Sequence, residues 1–314
     1  KGRTPSLAGL FFWMNKKTEN INKITVTKPL KLDCGKTIKD FPLAYETYGK
    51  LNQNKDNATW NFDQSTGDYI EWQSDNDFAN EMTNAAFSNM YNVEYEKAMV
   101  FFEKALEYDS SLFGPHVVLA GLAPEGSEKS MMHIEKAKEN VAEKNETSKL
   151  FVSLLDLPRQ SRWWPLLGRG AHDKWAEMRS VEPKGKLIHY YYAFTIPGME
   201  NKIKEMEALL SELRDGVGES ESLAVSGDHS FMIAPITNVL GYFYYNQGDK
   251  EKSKSLFEEY IDLYPNGYNP YDSMGEFYYN EGDLENAKYF YNKAAENFYA
   301  ASTANERLKE LNQN

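Results

Sequence analysis

One cysteine, Cys34, occurs in 314 residues, so no intramolecular disulfide can form and packing must hold the chain together. The same scarcity removes every zinc motif built on paired cysteines and leaves the redox compartment open. No apolar run approaches the roughly 20 residues of a membrane span. The patch "LAGLFFWM" (Leu7–Met14) is too short to cross, and no small-residue cleavage site follows it. We expect a soluble, bacterial-type protein of the cytoplasm or periplasm with no membrane partner.

Positive charge is scarce overall, with a net charge of −12, and it is unevenly placed. Residues 1–55 hold eleven Lys and Arg against four Asp and Glu, a balance of +7, whereas the remainder holds 24 against 43, or −19. An acidic body excludes nucleic acid as the expected partner, because phosphate contacts need a positive surface. The lysines of the head are scattered, as on a solvated face.

Complete catalytic signatures are missing too. No H-E-x-x-H, G-x-S-x-G, Walker loop or β-lactamase-like S-x-x-K occurs. The five histidines are His116, His133, His172, His189 and His229. "SMMHIEK" sets Met131 and Met132 beside His133, soft ligands of the kind that suit copper, although adjacent methionines on a helix more often fill a core. Ser226, Asp228 and His229 share the loop "SGDHS"; triads are assembled in space, so this reads as linker. We expect no cofactor. A transition metal held among His116, His133, His172 and His189 is the minor alternative.

Aromatics, at 14%, are plentiful. They recur in two stretches 34 residues apart: "GYFYYNQGDKEKSKSLFEEY" from Gly241 and "GEFYYNEGDLENAKYFYNKA" from Gly275. Each reads as helix, turn, helix. Gly241 and Gly275 leave room for a closely packed partner helix, and Gly248 and Gly282 end the first helix in a left-handed residue. Asp249 and Asp283 then cap the second helix. Ser253 and Ala287 permit a close crossing, Phe257 and Tyr291 anchor it, and Pro265 closes the unit. These copies closely resemble tetratricopeptide repeats.

Weaker copies lie upstream. Phe78–Tyr91 with "YEKAMVFFEKALEYDSS", "HVVLAGLA" with "SEKSMMHIEKAKENV", "ETSKLFVSLLDL" with "GAHDKWAEMRSV", and "KGKLIHYYYAFTI" with "MENKIKEMEALLSELRDG" form further pairs, the third interrupted by the loop "PRQSRWWPLLGR". The expected fold is all-α, a tetratricopeptide-type solenoid coiled as a right-handed superhelix, preceded by a short strand-containing segment. Its expected divisions are a basic segment at 1–59, a linker at 60–77, degenerate helix pairs at 78–229, and two clear repeats with a capping helix at 230–314.

The head carries its own resemblance. Ile24–Ala58, with "LAYETYG" and "LNQNKDNA", resembles the N-terminal hairpin of homoserine O-acetyltransferases, an α/β-hydrolase family. That family requires a serine on a G-x-S-x-G turn, which this chain lacks, so no catalytic residue carries over. We read residues 14–58 as a truncated gene fragment joined to a repeat protein; an intact native genome holding both halves contiguously argues against this.

The tetratricopeptide resemblance implies that positions 2, 5, 9, 12 and 13 of each first helix face a concave groove. Counted from Ala234 these are Pro235, Asn238, Tyr242, Tyr245 and Asn246; counted from Tyr268 they are Asn269, Asp272, Glu276, Tyr279 and Asn280. At least one of Tyr190, Tyr191 and Tyr192 should face the same way. Some members of the family grip a C-terminal carboxylate through Lys or Arg at positions 5 and 9, but here those positions hold Asn238, Tyr242, Asp272 and Glu276. The expected function is therefore a scaffold that binds a neutral or basic peptide or partner protein. The alternative is a hydrolase or metal-dependent enzyme with its site assembled inside the solenoid.

Overall fold

The computed structural model describes residues 70–159, 164–218 and 232–313, together with four short strands between residues 22 and 45. The chain divides into two compact units, Lys1–Asn57 and Ala58–Asn314. In the first unit β1 (Asn22–Val26) pairs antiparallel with β4 (Phe41–Tyr45), and β2 (Leu30–Lys31) pairs antiparallel with β3 (Thr37–Ile38). Ile24, Thr25 and Val26 supply the β-branched side chains that suit a strand. Pro42 stands opposite Thr25 in the β1–β4 ribbon.

The second unit is helical. Its elements are α1 (Asp77–Tyr91), α2 (Tyr95–Tyr108), α3 (Phe113–Leu122), α4 (Glu128–Asn140) and α5 (Glu146–Val152), which runs on into a 3₁₀ turn at Ser153–Asp156. There follow α6 (Ala171–Val181), α7 (Lys186–Thr195), α8 (Met199–Gly218), α9 (Ile233–Gln247) and α10 (Lys250–Leu263). The last are α11 (Asn269–Asn280), α12 (Leu284–Asn297) and α13 (Ser302–Leu311). The first twelve pack as six consecutive pairs, and α13 closes the end against α12 and α11. This is an α-solenoid, in which each pair buries a face that it cannot bury alone.

The local chemistry repeats in four of the six pairs. Second helices bury a stripe one turn apart: Ala98, Phe102 and Ala105 in α2; Ala171, Trp175 and Met178 in α6; Ser253, Phe257 and Tyr260 in α10; Ala287, Tyr291 and Ala294 in α12. That i, i+4, i+7 spacing puts a small residue beside a bulky one on a single helix face. First helices meet these anchors at glycine. A Cβ on Gly241 would lie 2.6 Å from the ring of Phe257, and one on Gly275 would lie 2.8 Å from Tyr291. Gly248 and Gly282 hold the intervening turns at φ +96° and +79°, and Asp249 and Asp283 accept hydrogen bonds from the backbone N–H groups of Lys252 and Asn286.

The first pair departs from this pattern. Val93 stands where the clear repeats have glycine, yet it keeps a positive φ of 62°. For a β-branched residue that conformation costs on the order of 1–3 kcal/mol. Glu94 stands where they have the capping Asp, but its side chain does not cap its own helix.

Candidate functional site

Glu94 instead reaches the far end of the stack. Its fully buried carboxylate accepts from the backbone N–H of Tyr268 at 2.7 Å and of Asn269 at 3.4 Å, the first N–H groups of α11, and from the Tyr264 hydroxyl at 3.3 Å. Lys97 pairs with it at 2.5 Å and lies 5.2 Å over the ring of Tyr268. A carboxylate at a helix N-terminus satisfies orphan donors and meets the positive end of the helix dipole. Beside it Glu96 accepts hydroxyl hydrogen bonds from Tyr268 and from Ser302 at the start of α13. Tyr260 donates to the Asn92 side chain at 3.0 Å and accepts from Asn269 at 3.2 Å. The turn between α1 and α2 is thus clasped by α10, α11 and α13, across sequence separations of 168 to 206 residues.

With its first and sixth pairs joined, the solenoid gathers its inner helices around a cavity of about 950 Å³, at the upper end of the range for small-ligand pockets. The aromatic walls include Tyr95, Tyr190, Tyr191, Phe194 and Phe243. Trp164 and Pro165, from the stretch that interrupts the third pair, add to the wall. Arg159 lies 5.0 Å over the Trp164 ring and donates to the carbonyls of Gly121 at 2.8 Å and Ala123 at 2.7 Å at the C-terminal end of α3. Among the described lining residues, three acids, Glu96, Asp272 and Glu276, face one base, Arg307. Arg307 is itself paired with Glu310 at 2.8 Å and stacked 4.7 Å over Tyr279.

Six of the ten groove positions expected from the sequence line this cavity: Asn238, Tyr242, Asn246, Asn269, Asp272 and Glu276. They do so in a cavity rather than along an extended groove. Tyr242 is no free surface tyrosine: its hydroxyl donates to Glu276 at 2.6 Å and its ring meets Phe257 edge-on, so burial, then Glu276, pushes the phenol up. Asp272 is 8% exposed and its Oδ1 has no hydrogen-bond partner. Burial, followed by Glu276 and Glu96, pushes its carboxyl up to about 7 against the opposing pull of Arg307. Asn238, 2% exposed, likewise has an unpartnered Oδ1.

Pro235, Tyr245, Tyr279 and Asn280 do not line the cavity. Tyr245 ties the fifth pair to the sixth through a 2.9 Å hydrogen bond to Glu281, and Tyr279 lies beneath Arg307. The cavity meets α11 at Asn269, Asp272, Ser273 and Glu276, and positions 12 and 13 fall beyond that stretch. Of the three consecutive tyrosines, Tyr190 and Tyr191 face inward, whereas Tyr192 packs against His172 and Arg179.

The four described histidines do not converge on one pocket. His116 and His133 meet Nδ1 to Nδ1 at 2.7 Å inside the α3–α4 pair, and neither lines the large cavity. His189 contacts Glu205 at 3.1 Å. His172 lies 3.3 Å from Thr195 beside a second cavity of about 350 Å³, near Arg169 and Lys202. Met131 and Met132 are 54% and 41% exposed, whereas His133 is buried. Among the described residues no group of three or more His, Cys, Asp and Glu is placed to hold a metal ion. Ser226, Asp228, His229 and Cys34 lie outside the described residues.

Burial lowers both members of the histidine pair, His133 to about 4 with His116 as its next cause. Both are therefore neutral at pH 7, one imidazole donating to the other. The unfolded chain, with histidine near its ordinary 6.5, takes up protons that the folded chain refuses, so stability falls as pH drops from 6.5 towards 4. The double variant His116→Leu with His133→Leu should show a shallower fall of Tm across that window than the parent. Equal slopes would show that the pair does not titrate as its burial implies.

Helix pairs with small-and-bulky second-helix stripes, stacked around inward first helices, define a helical-repeat protein. Residues 240–267 and 268–297 each match a family profile described as "Tetratricopeptide repeat", and these two units are tetratricopeptide repeats. Solved structures of similar fold include a tetratricopeptide repeat protein from Parabacteroides merdae, 14% identical with a TM-score of 0.42 over 76% of this chain and 85% of that one. Yeast Tom70 is 14% identical with a TM-score of 0.44, over 77% of this chain and 50% of that one. YrrB, described as a TPR protein with an unusual peptide-binding site, is 16% identical with a TM-score of 0.32, over 73% and 90%. Separately, 49 residues of this chain are 63% identical to homoserine O-acetyltransferase of Pelagibacter ubique, covering 16% of this chain. The chain spans only 13% of that enzyme's length.

Proposed function

We propose that this chain is a binding scaffold that takes a neutral or basic peptide segment of a partner protein into its central cavity. The observation that carries this reading is the lining: aromatic walls with three carboxylates against one guanidinium. Aromatic side chains bring large contact area at low entropic cost, and the excess of acid disfavours anionic tails and nucleic acid phosphates. Asn238, Tyr242, Asn246, Asp272 and Glu276 are the proposed contact residues. Tyr245, Tyr279 and Asn280 would act on binding only through the packing of the last two pairs.

An array of random hexapeptides, probed with the full chain, tests this. Neutral and basic peptides should be retained over acidic ones, and Glu276→Lys should weaken retention of the basic set by about tenfold or more. Retention of acidic peptides, or a basic set indifferent to Glu276→Lys, would count against the reading.

A further inference from the structure

We propose that the acidic part of this cavity is a subsite for a single aliphatic ammonium ion, supplied by a lysine side chain of the bound segment. The inference rests on the peptide-binding reading above and specifies its chemistry. Two acceptors on different helices remain without donors: Oδ1 of Asp272 in α11 and Oδ1 of Asn238 in α9. Each belongs to a side chain more than nine-tenths buried, and both residues line the cavity. Unsatisfied buried acceptors are costly, and a ligand that donates hydrogen bonds recovers that cost.

The neighbouring acids are already occupied in part. Glu276 receives the Tyr242 hydroxyl, and Glu96 receives those of Tyr268 and Ser302. Neither is saturated, since a carboxylate has two acceptor oxygens; Asp272 differs from both in having an Oδ1 that receives no donor at all. Arg307 does not supply one, being held by Glu310 and Tyr279. An ammonium group carries three donors on a slim stem and suits single acceptors; a planar guanidinium suits a bidentate carboxylate instead. The aromatic walls accommodate the methylene stem and attract the charge.

The test presents the full chain with hexapeptide arrays whose central residue is Lys, Nε-acetyl-Lys, Arg or Gln, with and without spermidine as competitor. Lysine should be retained about tenfold better than acetyl-lysine, and Asp272→Asn should abolish that preference while leaving Tm at or above the parent value. Equal retention of lysine and acetyl-lysine overturns the subsite and leaves peptide binding standing. If no peptide is retained but isothermal titration shows spermidine binding that Asp272→Asn removes, the subsite stands with a free polyamine as its source and the peptide reading fails. If neither peptide nor spermidine binds, both fall.

Discussion

Glu94→Ala should lower the free energy of unfolding by about 3–5 kcal/mol, the range for removing one partner of a buried, hydrogen-bonded ion pair. Lys97 then loses its 2.5 Å counter-charge, and the N–H groups of Tyr268 and Asn269 lose the acceptor that capped α11. The damage is not confined to one helix, because the same carboxylate joins the first helix pair to the last. Hydrogen exchange should quicken at the amides of Tyr268 and Asn269 before the rest of α11 responds. Glu94→Gln keeps an acceptor oxygen without the charge and should fall between alanine and the parent. Urea denaturation measures the effect; a loss below about 1 kcal/mol in the alanine variant would mean that the clasp is incidental to stability.

Trp175→Ala should cost a comparable amount, about 3–5 kcal/mol, as large buried aromatics do when truncated. Trp175 is fully buried, stacks on Tyr191 at 4.5 Å with the rings 14° apart, and donates to the carbonyl of Leu166 at 2.8 Å. Tyr191 and Leu166 both form cavity wall, so Trp175 acts on the site from behind it. Truncation leaves a void where the ring packed and a carbonyl without its donor. Trp175→Phe restores most of the packing but not the hydrogen bond and should cost about 1–2 kcal/mol. Denaturation of both variants, with peptide retention measured where each remains folded, separates the two contributions. An alanine variant as stable as the parent would remove this residue from the account of the core.

The repeat was legible because its chemistry is local. Glycine against Phe257 or Tyr291, a left-handed glycine after the first helix and Asp capping the second all operate within one 34-residue unit. The four degenerate pairs were readable from helical period alone, even where the small residue before the anchor had drifted. Asn238, Asp272 and Glu276 reach the cavity wall from positions 5 and 9, because inward positions follow from a helix's relation to its immediate partner. Asn246 reaches the wall while Tyr245, one residue earlier, turns to Glu281 and Tyr279 lies under Arg307, a difference that position in the repeat does not carry.

The clasp had only a faint signature: Val93 and Glu94 in "YNVEY", where the later repeats write Gly-Asp. A substituted turn reads as decay of the repeat until its partner is seen. Likewise the loop around Trp164 and Pro165 read as an interruption, and it turned out to be wall. Helix positions, pairing and the inward face follow from interactions between residues a few turns apart, so period and turn chemistry specify them. Closure, the shape of the cavity and the isolation of Asp272 depend on contacts as distant as Glu96 to Ser302, 206 residues apart. Such contacts form only after the twist of every intervening pair has accumulated, and no short stretch of chain records that sum.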